Sequence, residues 1–187
     1  MSLAGLNIVF VGPSGAGKTC IQTQFITDFP HWFGHPISHT TRPIRQGETN
    51  GVDYHFVSEV DFKTKINQQG FFIEHANYDG YYYGSSNPSQ QDIWDQGKAC
   101  IRVLEPQGCE SYRTQFPNAK FIFISASKDI LLQRLGDRAT KSRVCDIDNM
   151  LRYGKDAEFD AVIDNCGSIE QACWIIMKHI SHSIGTT

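Results

Sequence analysis

The sequence predicts an α/β fold, in which a parallel β-sheet is flanked by helices. Short apolar segments rich in β-branched residues recur along the 187-residue chain, separated by helical or polar stretches. Such segments are typical of strands buried on both faces of a parallel sheet. They are Leu6–Val11, Ala99–Leu104, Lys120–Ser125 and Ala161–Asp164. With 40% hydrophobic residues, we expect one core and a single domain that carries an insertion.

The first predicted strand leads into a glycine-rich loop, GPSGAGKT. This loop satisfies the pattern G-x-x-x-x-G-K-[ST] of a phosphate-binding P-loop, whose backbone N–H groups surround the phosphates of a nucleoside triphosphate. In that role Lys18 bridges the β- and γ-phosphates, and the Thr19 hydroxyl binds Mg²⁺. The residues predicted to hold the triphosphate, which the resemblance described below implies to be ATP, are Gly12, Ser14, Gly15, Ala16, Gly17, Lys18 and Thr19. The predicted fold is therefore of the P-loop NTPase type.

Helices are predicted directly after the loop and at the end of the chain. After the loop, Ile21, Phe25 and Phe29 recur at helical spacing until Pro30 stops the pattern. A P-loop requires this position, because the helix dipole adds to the loop's amide groups. Near the end, the Ser168 hydroxyl caps a helix that has Gln171 three residues on. Its apolar stripe comprises Ile169, Ala172, Cys173, Ile176 and Ile180.

Composition excludes several classes of function. A net charge of -3 and a pI near 6.1 give no basic surface for nucleic acid. The six cysteines form no C-x-x-C pair, and the apolar runs are only of strand length, so we expect neither a metal framework nor a membrane span. The opening MSLAG leaves no room for a signal peptide before the first strand, which favours a reduced, cytoplasmic protein. Oligomeric state is not predicted.

Two segments depart from the α/β pattern. Residues 36–88 are rich in proline, glycine and tyrosine, with one helical pattern over 58–69, and are interpreted as an inserted, mostly β subdomain. Residues 136–156 are polar and lack a sustained apolar period, which suits a mobile lid over the triphosphate. The predicted core is then 1–35, 89–135 and 157–187.

The insertion contains groups suited to a phosphorylated acceptor. Two guanidinium groups, at Arg42 and Arg45, can bind one phosphate bidentately, and the Tyr54 hydroxyl can add a donor. Paired arginines in a loop are more commonly a solvated charged surface, and the P-loop elsewhere in the chain favours the functional interpretation.

A guanine base would find matching groups in the same insertion. Its N1–H and N2 amino group match a carboxylate such as Glu74, and its O6 matches a hydroxyl such as Ser38. Tyr83 and Ser85 follow a glycine turn at Gly80. The alternatives are a surface carboxylate for Glu74 and an aromatic packing cluster for the YYYG run.

These segments together resemble the guanylate kinases. The matching parts are GPSGAGKT, SHTTRPIRQGETNGVDYHFVS, FIEHANYDGYYYGSS, GKACI followed by PQG, and the arginine pair in RLGDRAT. The resemblance implies a transferase of purine nucleotide metabolism that moves the γ-phosphoryl group of ATP to GMP with Mg²⁺. It does not separate GMP from dGMP.

The resemblance also implies individual roles. The GMP phosphate would be held by Arg42, Arg45, Tyr54 and Tyr83. The guanine would be read by Ser38, Glu74 and Ser85, with Glu105 as a further carboxylate. The catalytic charges would be Lys18, Arg42 and the lid arginines Arg134 and Arg138. Asn165 stands where the family often has Asn-Asp-Asp near the adenine, and would help to hold ATP.

Two positions depart from the family pattern. Val103 and Glu105 stand where guanylate kinases usually carry Asp-x-Asp, so the aspartate near the metal is replaced by valine. Met150 stands in place of a further lid arginine, for which Arg143 or Arg152 could substitute. From Val103 we expect a functional but slow enzyme with a high Mg²⁺ requirement, unless Glu105 reaches across to fill the role of the missing aspartate.

Two other functions compete with a working guanylate kinase. One is a catalytically weak or inactive guanylate-kinase-like module that binds GMP or phosphorylated partners. Such modules typically lose the P-loop lysine and glycines, whereas Gly17 and Lys18 are present here. The other is a kinase for a different phosphorylated acceptor, against which Glu74 and Ser38 argue.

Overall fold

A computed structural model describes residues 2–78 and 80–184, apart from the side chains of Tyr78, Arg138 and 182–184. Nine strands and seven α-helices lie within these residues. In chain order they are β1 (Asn7–Val11), α1 (Lys18–Asp28), β2 (Phe33–Gly34), β3 (His39–Thr40), β4 (His55–Phe56), α2 (Glu59–Asn67), β5 (Phe72–Tyr78), β6 (Tyr81–Ser86), α3 (Asn87–Asp95), β7 (Ala99–Val103), α4 (Pro106–Gln115), β8 (Lys120–Ser125), α5 (Lys128–Leu135), α6 (Lys141–Asp156), β9 (Ala161–Asp164) and α7 (Ile169–Ile184). A short 3₁₀ turn, Gly136–Arg138, joins α5 to α6.

The main sheet has the strand order β2-β7-β1-β8-β9, and all its pairs are parallel. Its central strand β1 is buried along its whole length, as an apolar run in a parallel sheet predicts. Ile8 and Phe10 face a core cluster shared with α1, α5 and α7. Val9 and Val11 face a second cluster, which includes residues of α4. The predicted α/β fold with helices on both faces is confirmed.

The helices next to the loop and at the end of the chain match the sequence prediction closely. Helix α1 ends at Asp28, two residues before Pro30, and buries Ile21 and Phe25. At the start of α7, the Gln171 backbone N–H donates to the Ser168 hydroxyl at 3.3 Å, and the Ser168 N–H donates to Gln171 Oε1 at 3.4 Å. This reciprocal pair is the predicted capping box, which satisfies two N–H groups that a helix start leaves open.

A second sheet of four strands is formed by chain segments between β2 and α3, with the order β4-β3-β6-β5. It is mixed, because β3 and β4 are parallel whereas the other pairs are antiparallel. Its core is aromatic: Phe62 of α2 stacks on Phe72 at 4.5 Å and on Tyr82 at 5.4 Å between ring centroids. Stacked rings bury much area from few residues, which lets a small sheet hold its shape.

Helix α6 shows more regular structure than the sequence suggested for the predicted lid. It runs for 16 residues and buries Ile147 against the main core. Gly154 allows it to approach β8, since a Cβ there would lie 2.3 Å from the Phe123 ring. The apolar stripe escaped the sequence pattern because it is narrow and flanked by charged residues. The mobility of this segment stays a prediction.

Helix α4 connects the two sheets. Near its C-terminal end the Gln115 amide donates to the Ile73 carbonyl of β5 at 2.9 Å. Farther in, Gln90 Oε1 of α3 accepts from the Tyr112 hydroxyl at 2.8 Å and from Arg102 Nε at 3.0 Å. These polar contacts help to fix where the second sheet lies relative to the first, because hydrogen bonds between side chains of different elements restrict how those elements can shift.

Within residues 2–78 and 80–184, no helix combines the length and the apolar character that crossing a membrane requires. The same part of the chain contains no cluster of three or more potential metal-binding side chains of the histidine, cysteine or carboxylate types. All six cysteines are free thiols.

Candidate active site

The P-loop lies between β1 and α1, at the carboxyl end of the central strand. Gly12 has φ 151° and Gly17 has φ 90°, values that favour glycine. A Cβ at Gly12 would lie 2.0 Å from the Ile124 carbonyl oxygen, and one at Gly17 would lie 2.5 Å from Asn165 Nδ2. Both glycines are therefore required by backbone conformation and by close packing. The loop curls against β8 and against the segment after β9.

The Lys18 ammonium is folded back over the loop. Its Nζ donates to the Gly12 carbonyl oxygen at 2.6 Å and to the Pro13 carbonyl oxygen at 3.0 Å. Burial lowers the pKa of Lys18, and the negative charge of Glu105 partly opposes that shift. A dehydrated ammonium held by carbonyl oxygens is ready to exchange them for phosphate oxygens.

Asn165 supports the loop from below. It is 1% exposed, and its Nδ2 donates to the Ala16 carbonyl oxygen at 2.8 Å. Arg134 donates to the Asn165 carbonyl oxygen at 2.9 Å and to the Gly15 carbonyl oxygen at 3.5 Å. The structure thus brings Asn165, predicted to hold ATP, and Arg134, predicted as a catalytic lid arginine, to the P-loop backbone. Contact of Asn165 with adenine stays a prediction.

The other three phosphate-binding candidates lie around Arg42: Arg45 and Tyr54 belong to the same acceptor loop, residues 40–54, and Tyr83 belongs to β6. The Arg42 guanidinium lies 5.7 Å from the centroid of the Tyr54 ring, and Tyr54 lies 6.1 Å from Tyr83 between centroids. A side-chain hydrogen bond with Glu48 is the largest of the contributions that raise the Arg42 pKa, and one with Tyr83 adds to it. Arg45 acts electrostatically on Tyr54, so it lies near the same place.

The predicted guanine-reading residues form one row across three strands. Glu74 of β5 pairs with Ser85 of β6, and the Ser85 hydroxyl donates to Glu74 Oε1 at 2.5 Å. Ser38 directly precedes His39, which pairs with Gly84, the neighbour of Ser85. Ser38 therefore stands at the same end of the sheet as the other two. The row presents one carboxylate and two hydroxyl groups.

Glu105 lies closer to the donor loop than its assigned role in reading guanine suggested. It stands at the N-cap of α4, where β7 ends beside β1, and its charge opposes part of the lowering of the Lys18 pKa by burial. Thr19, the predicted metal ligand, is exposed in the first turn of α1. Val103 instead packs against the apolar core cluster under the loop. A part in guanine binding for Glu105 stays a prediction.

The predicted lid residues lie in different surroundings. Met150 packs against the second core cluster, which explains why an apolar residue suits this position. Arg143 is half-buried on the same helix, and Arg152 is exposed. The side chain of Arg138 lies outside the described part of the chain. Of the two predicted lid arginines, Arg134 is the one whose contacts with the loop are described.

Two residues of the acceptor loop were missed by the sequence prediction. Glu48 binds both Arg42 Nη atoms, and Thr40 Oγ1 accepts from the Arg42 backbone N–H at 3.1 Å. Both lie inside the run TTRPIRQGE. An acid in a loop with two arginines was the available signal, although sequence does not show which arginine it binds.

Comparison with known proteins agrees with the geometry. The family model described as guanylate kinase matches residues 5–183. A guanylate kinase of Bdellovibrio bacteriovorus is 39% identical over 135 residues, which are 72% of this chain and 72% of that protein. A guanylate kinase of Sus scrofa is 32% identical over 185 residues, covering 95% of this chain and 92% of that protein.

Solved structures agree on the fold. The crystal structure of a guanylate kinase from Anaplasma phagocytophilum superposes with a TM-score of 0.73 at 24% identity, covering 96% of this chain and 86% of that one. A gluconokinase from Sinorhizobium meliloti superposes with a TM-score of 0.50 at 12% identity, covering 96% of this chain and 93% of that one. The family model spans nearly all of the sequence and two relatives exceed 30% identity. The chain belongs to the guanylate kinase family.

Proposed function

We propose that this protein transfers the γ-phosphoryl group of ATP to the phosphate of GMP, giving ADP and GDP. The observation that carries the proposal is the pairing of two phosphate sites in one chain. A complete P-loop lies on the main sheet, and the cluster around Arg42 lies on the second sheet beside the Glu74–Ser85 pair. A phosphate and a guanine carried by one acceptor match that second set of groups.

On the donor side, the loop's N–H groups and Lys18 bind the triphosphate. The groups that fit Mg²⁺ are the Thr19 hydroxyl and the Glu105 carboxylate, whose charge is close enough to oppose part of the lowering of the Lys18 pKa by burial. Two oxygen ligands suit this ion, because Mg²⁺ keeps several waters and takes its other oxygens from substrate phosphates. When bound, it neutralises phosphate charge and orients the phosphoryl group.

On the acceptor side, the row of Ser38, Ser85 and Glu74 binds guanine while Arg42 and Arg45 hold the phosphate. One oxygen of that phosphate forms a bond to the γ-phosphorus of ATP, and the bond to the β–γ bridging oxygen breaks, so ADP leaves with the electron pair. The protein contributes position and positive charge, the main catalytic terms in phosphoryl transfer. Lys18 and Arg134, which contact the loop, supply that charge with Arg138.

An inactive binding module is not favoured. Such a module has no need of glycines at positive φ or of a lysine on the loop, yet Gly12, Gly17 and Lys18 keep these features. The working enzyme is the function that the site supports best.

A coupled assay of ADP release tests the proposal. Purified protein receives ATP and Mg²⁺ with GMP, dGMP, AMP, CMP or UMP, or no acceptor. We expect GMP to give the highest kcat/KM. The difference between the GMP and dGMP reactions measures the contribution of the ribose 2′-hydroxyl. Equal ADP release without acceptor, or AMP as good as GMP, would contradict the assignment.

A further inference from the structure

We propose that Glu48 is a positioning residue for the acceptor phosphate, which acts by fixing the orientation of the Arg42 guanidinium. The inference rests on the proposed function, because it gives Arg42 a phosphate to bind. It adds a residue that the predicted site lacked.

One carboxylate accepts three hydrogen bonds from this loop. Arg42 Nη2 donates to Glu48 Oε1 at 2.7 Å, and Nη1 donates to Oε2 at 3.0 Å. The Arg45 backbone N–H donates to the same Oε2 at 2.7 Å. Glu48 therefore holds the side chain of one predicted phosphate ligand and the backbone of the other. A bidentate pair of this kind fixes geometry as well as adding energy.

The Arg42 guanidinium is further confined by its surroundings. Its side chain is 8% exposed, and Nη1 also donates to the Pro43 carbonyl oxygen at 2.8 Å. The rings of Tyr54 and Phe56 lie 5.7 and 5.6 Å from its central carbon. An arginine stacked and hydrogen-bonded in this way has one orientation, so little rotamer freedom remains to be lost on binding.

The Arg42 N–H groups that are already hydrogen-bonded indicate which of its N–H groups remain to face a substrate. A guanidinium has five N–H groups. Glu48 takes the end-on fork formed by Nη1 and Nη2, and Pro43 takes the other Nη1 hydrogen. The remaining N–H groups, at Nε and at Nη2, form the side-on fork. Tyr83, another predicted phosphate ligand, lies beside the same guanidinium, since a side-chain hydrogen bond with it helps to raise the Arg42 pKa. That fork matches a phosphate bidentately.

Glu48 acts through geometry rather than through its charge. A second anion beside a bound phosphate opposes binding electrostatically. Its benefit is that Arg42 cannot turn its end-on fork to the phosphate and displace the acceptor from the γ-phosphoryl group. A misplacement of about 1 Å costs up to about 10²-fold in rate.

The test compares GMP with guanosine, which lacks the phosphate. Dissociation constants for both are measured by calorimetry for the parent, Glu48→Ala, Glu48→Gln and Arg42→Ala, together with kcat and KM. The control is Glu59→Ala, which breaks an exposed pair with Lys63 on α2 of the same sheet unit. Exposed pairs of that type contribute little.

We expect Glu48→Ala to weaken GMP binding by about tenfold or more and to leave guanosine binding unchanged. Glu48→Gln keeps one acceptor oxygen and should fall between it and the parent. Adding Glu48→Ala to Arg42→Ala should cause no further loss, because residues that act through one contact are not additive. Glu59→Ala should match the parent.

Equal losses for GMP and guanosine would overturn the inference, since they would reveal a general structural role. An unchanged GMP constant in Glu48→Ala would overturn it as well. If Glu48→Ala does not fold, the test rests on Glu48→Gln, which weakens the paired hydrogen bonds with Arg42. A folded Glu48→Gln variant that binds GMP as tightly as the parent would then contradict the inference. A parent that binds GMP no better than guanosine contradicts the proposed function itself.

Discussion

The molecule has two loops that are suited to a phosphate group, and they are built in different ways. The P-loop on the main sheet uses backbone: glycines at positive φ, carbonyl oxygens that hold Lys18, and packing against β8. The acceptor loop on the second sheet uses side chains: Arg42 is held by an ion pair and by aromatic rings. A phosphate site built from backbone cannot accommodate added atoms. A site built from side chains can be adjusted by changing the residues that hold those side chains in place.

The residues that support the two loops, Asn165 and Glu48, also differ in their separation in sequence from the residues they contact. Asn165 contacts Ala16 across 149 residues, whereas Glu48 contacts Arg42 across six. The donor loop therefore depends on the whole main sheet being folded, and the acceptor loop depends mainly on its own segment. Removing these supporting contacts should therefore have different signatures: loss of stability when the packing beneath the P-loop is disturbed, and loss of acceptor affinity when the Glu48 contact is removed.

Removing the charge at the donor loop should have the largest effect. Lys18→Met keeps the length of the side chain but removes the ammonium that would contact the transferring phosphoryl group. We expect kcat to fall by about 10²- to 10³-fold, the range for losing one transition-state contact. GMP affinity, measured by calorimetry, should stay near the parent value. Near-normal turnover would contradict the P-loop assignment.

A pair of glycine substitutions would sharpen the comparison. Gly17→Ala introduces a Cβ that would lie 2.5 Å from Asn165 Nδ2, at φ 90°. Gly47→Ala in the acceptor loop has φ 89° and meets no atom within 4 Å of the added Cβ. Both strain the backbone by about 1 to 3 kcal/mol, and Gly17→Ala adds a collision.

We therefore expect Gly17→Ala to lose ATP binding and to unfold at a lower denaturant concentration than Gly47→Ala. Equal midpoints and equal ATP affinities for the two variants would mean that the packing beneath the P-loop is not what holds its shape.

The base-reading row can be tested by one conservative change. Glu74→Gln keeps an oxygen for the Ser85 hydroxyl but replaces the charged acceptor by an amide. A hydrogen bond to a charged group contributes about 1.5 to 3 kcal/mol, so discrimination of GMP over AMP should fall at least about tenfold. The measurement is the ratio of kcat/KM values. An unchanged ratio would place guanine recognition elsewhere, and Glu59→Gln serves as the control.

The smallest effect is expected from restoring the missing carboxylate. Val103→Asp places an acid at the end of β7, and we expect the Mg²⁺ concentration for half-maximal rate to fall by about tenfold, a typical effect of supporting carboxylates. The neutral, similarly sized Val103→Asn separates charge from shape. Because Val103 packs on the apolar core cluster, both variants should be less stable.

If folded Val103→Asp has the Mg²⁺ midpoint and kcat of Val103→Asn, then Val103 is not a catalytic deficit.

The features that could be predicted from the sequence are those whose signals lie within a few neighbouring residues. Strands β1 and β8 were predictable because each is a short apolar run. The N-terminal cap of α7 was predictable because Ser168 and Gln171 lie only three residues apart. The support of the loop by Asn165 was not, because it joins residues far apart in the chain. Helix α6 was not predicted, because charged residues flank its narrow apolar stripe. Its close approach to Phe123 at Gly154 is visible only in three dimensions.

The partly buried ammonium of Lys18 has a consequence for the stability of the protein. Folding removes water from this charge before any nucleotide arrives, which is why its pKa is lowered. A group that binds its proton less tightly when folded than when unfolded destabilises the fold at neutral pH, and the penalty is relieved as pH rises through the folded pKa. Lys18→Met should therefore raise the melting temperature and flatten the alkaline rise in stability. The enzyme keeps a weak point in its fold for catalysis, and the variant that works worst should be the hardest to unfold.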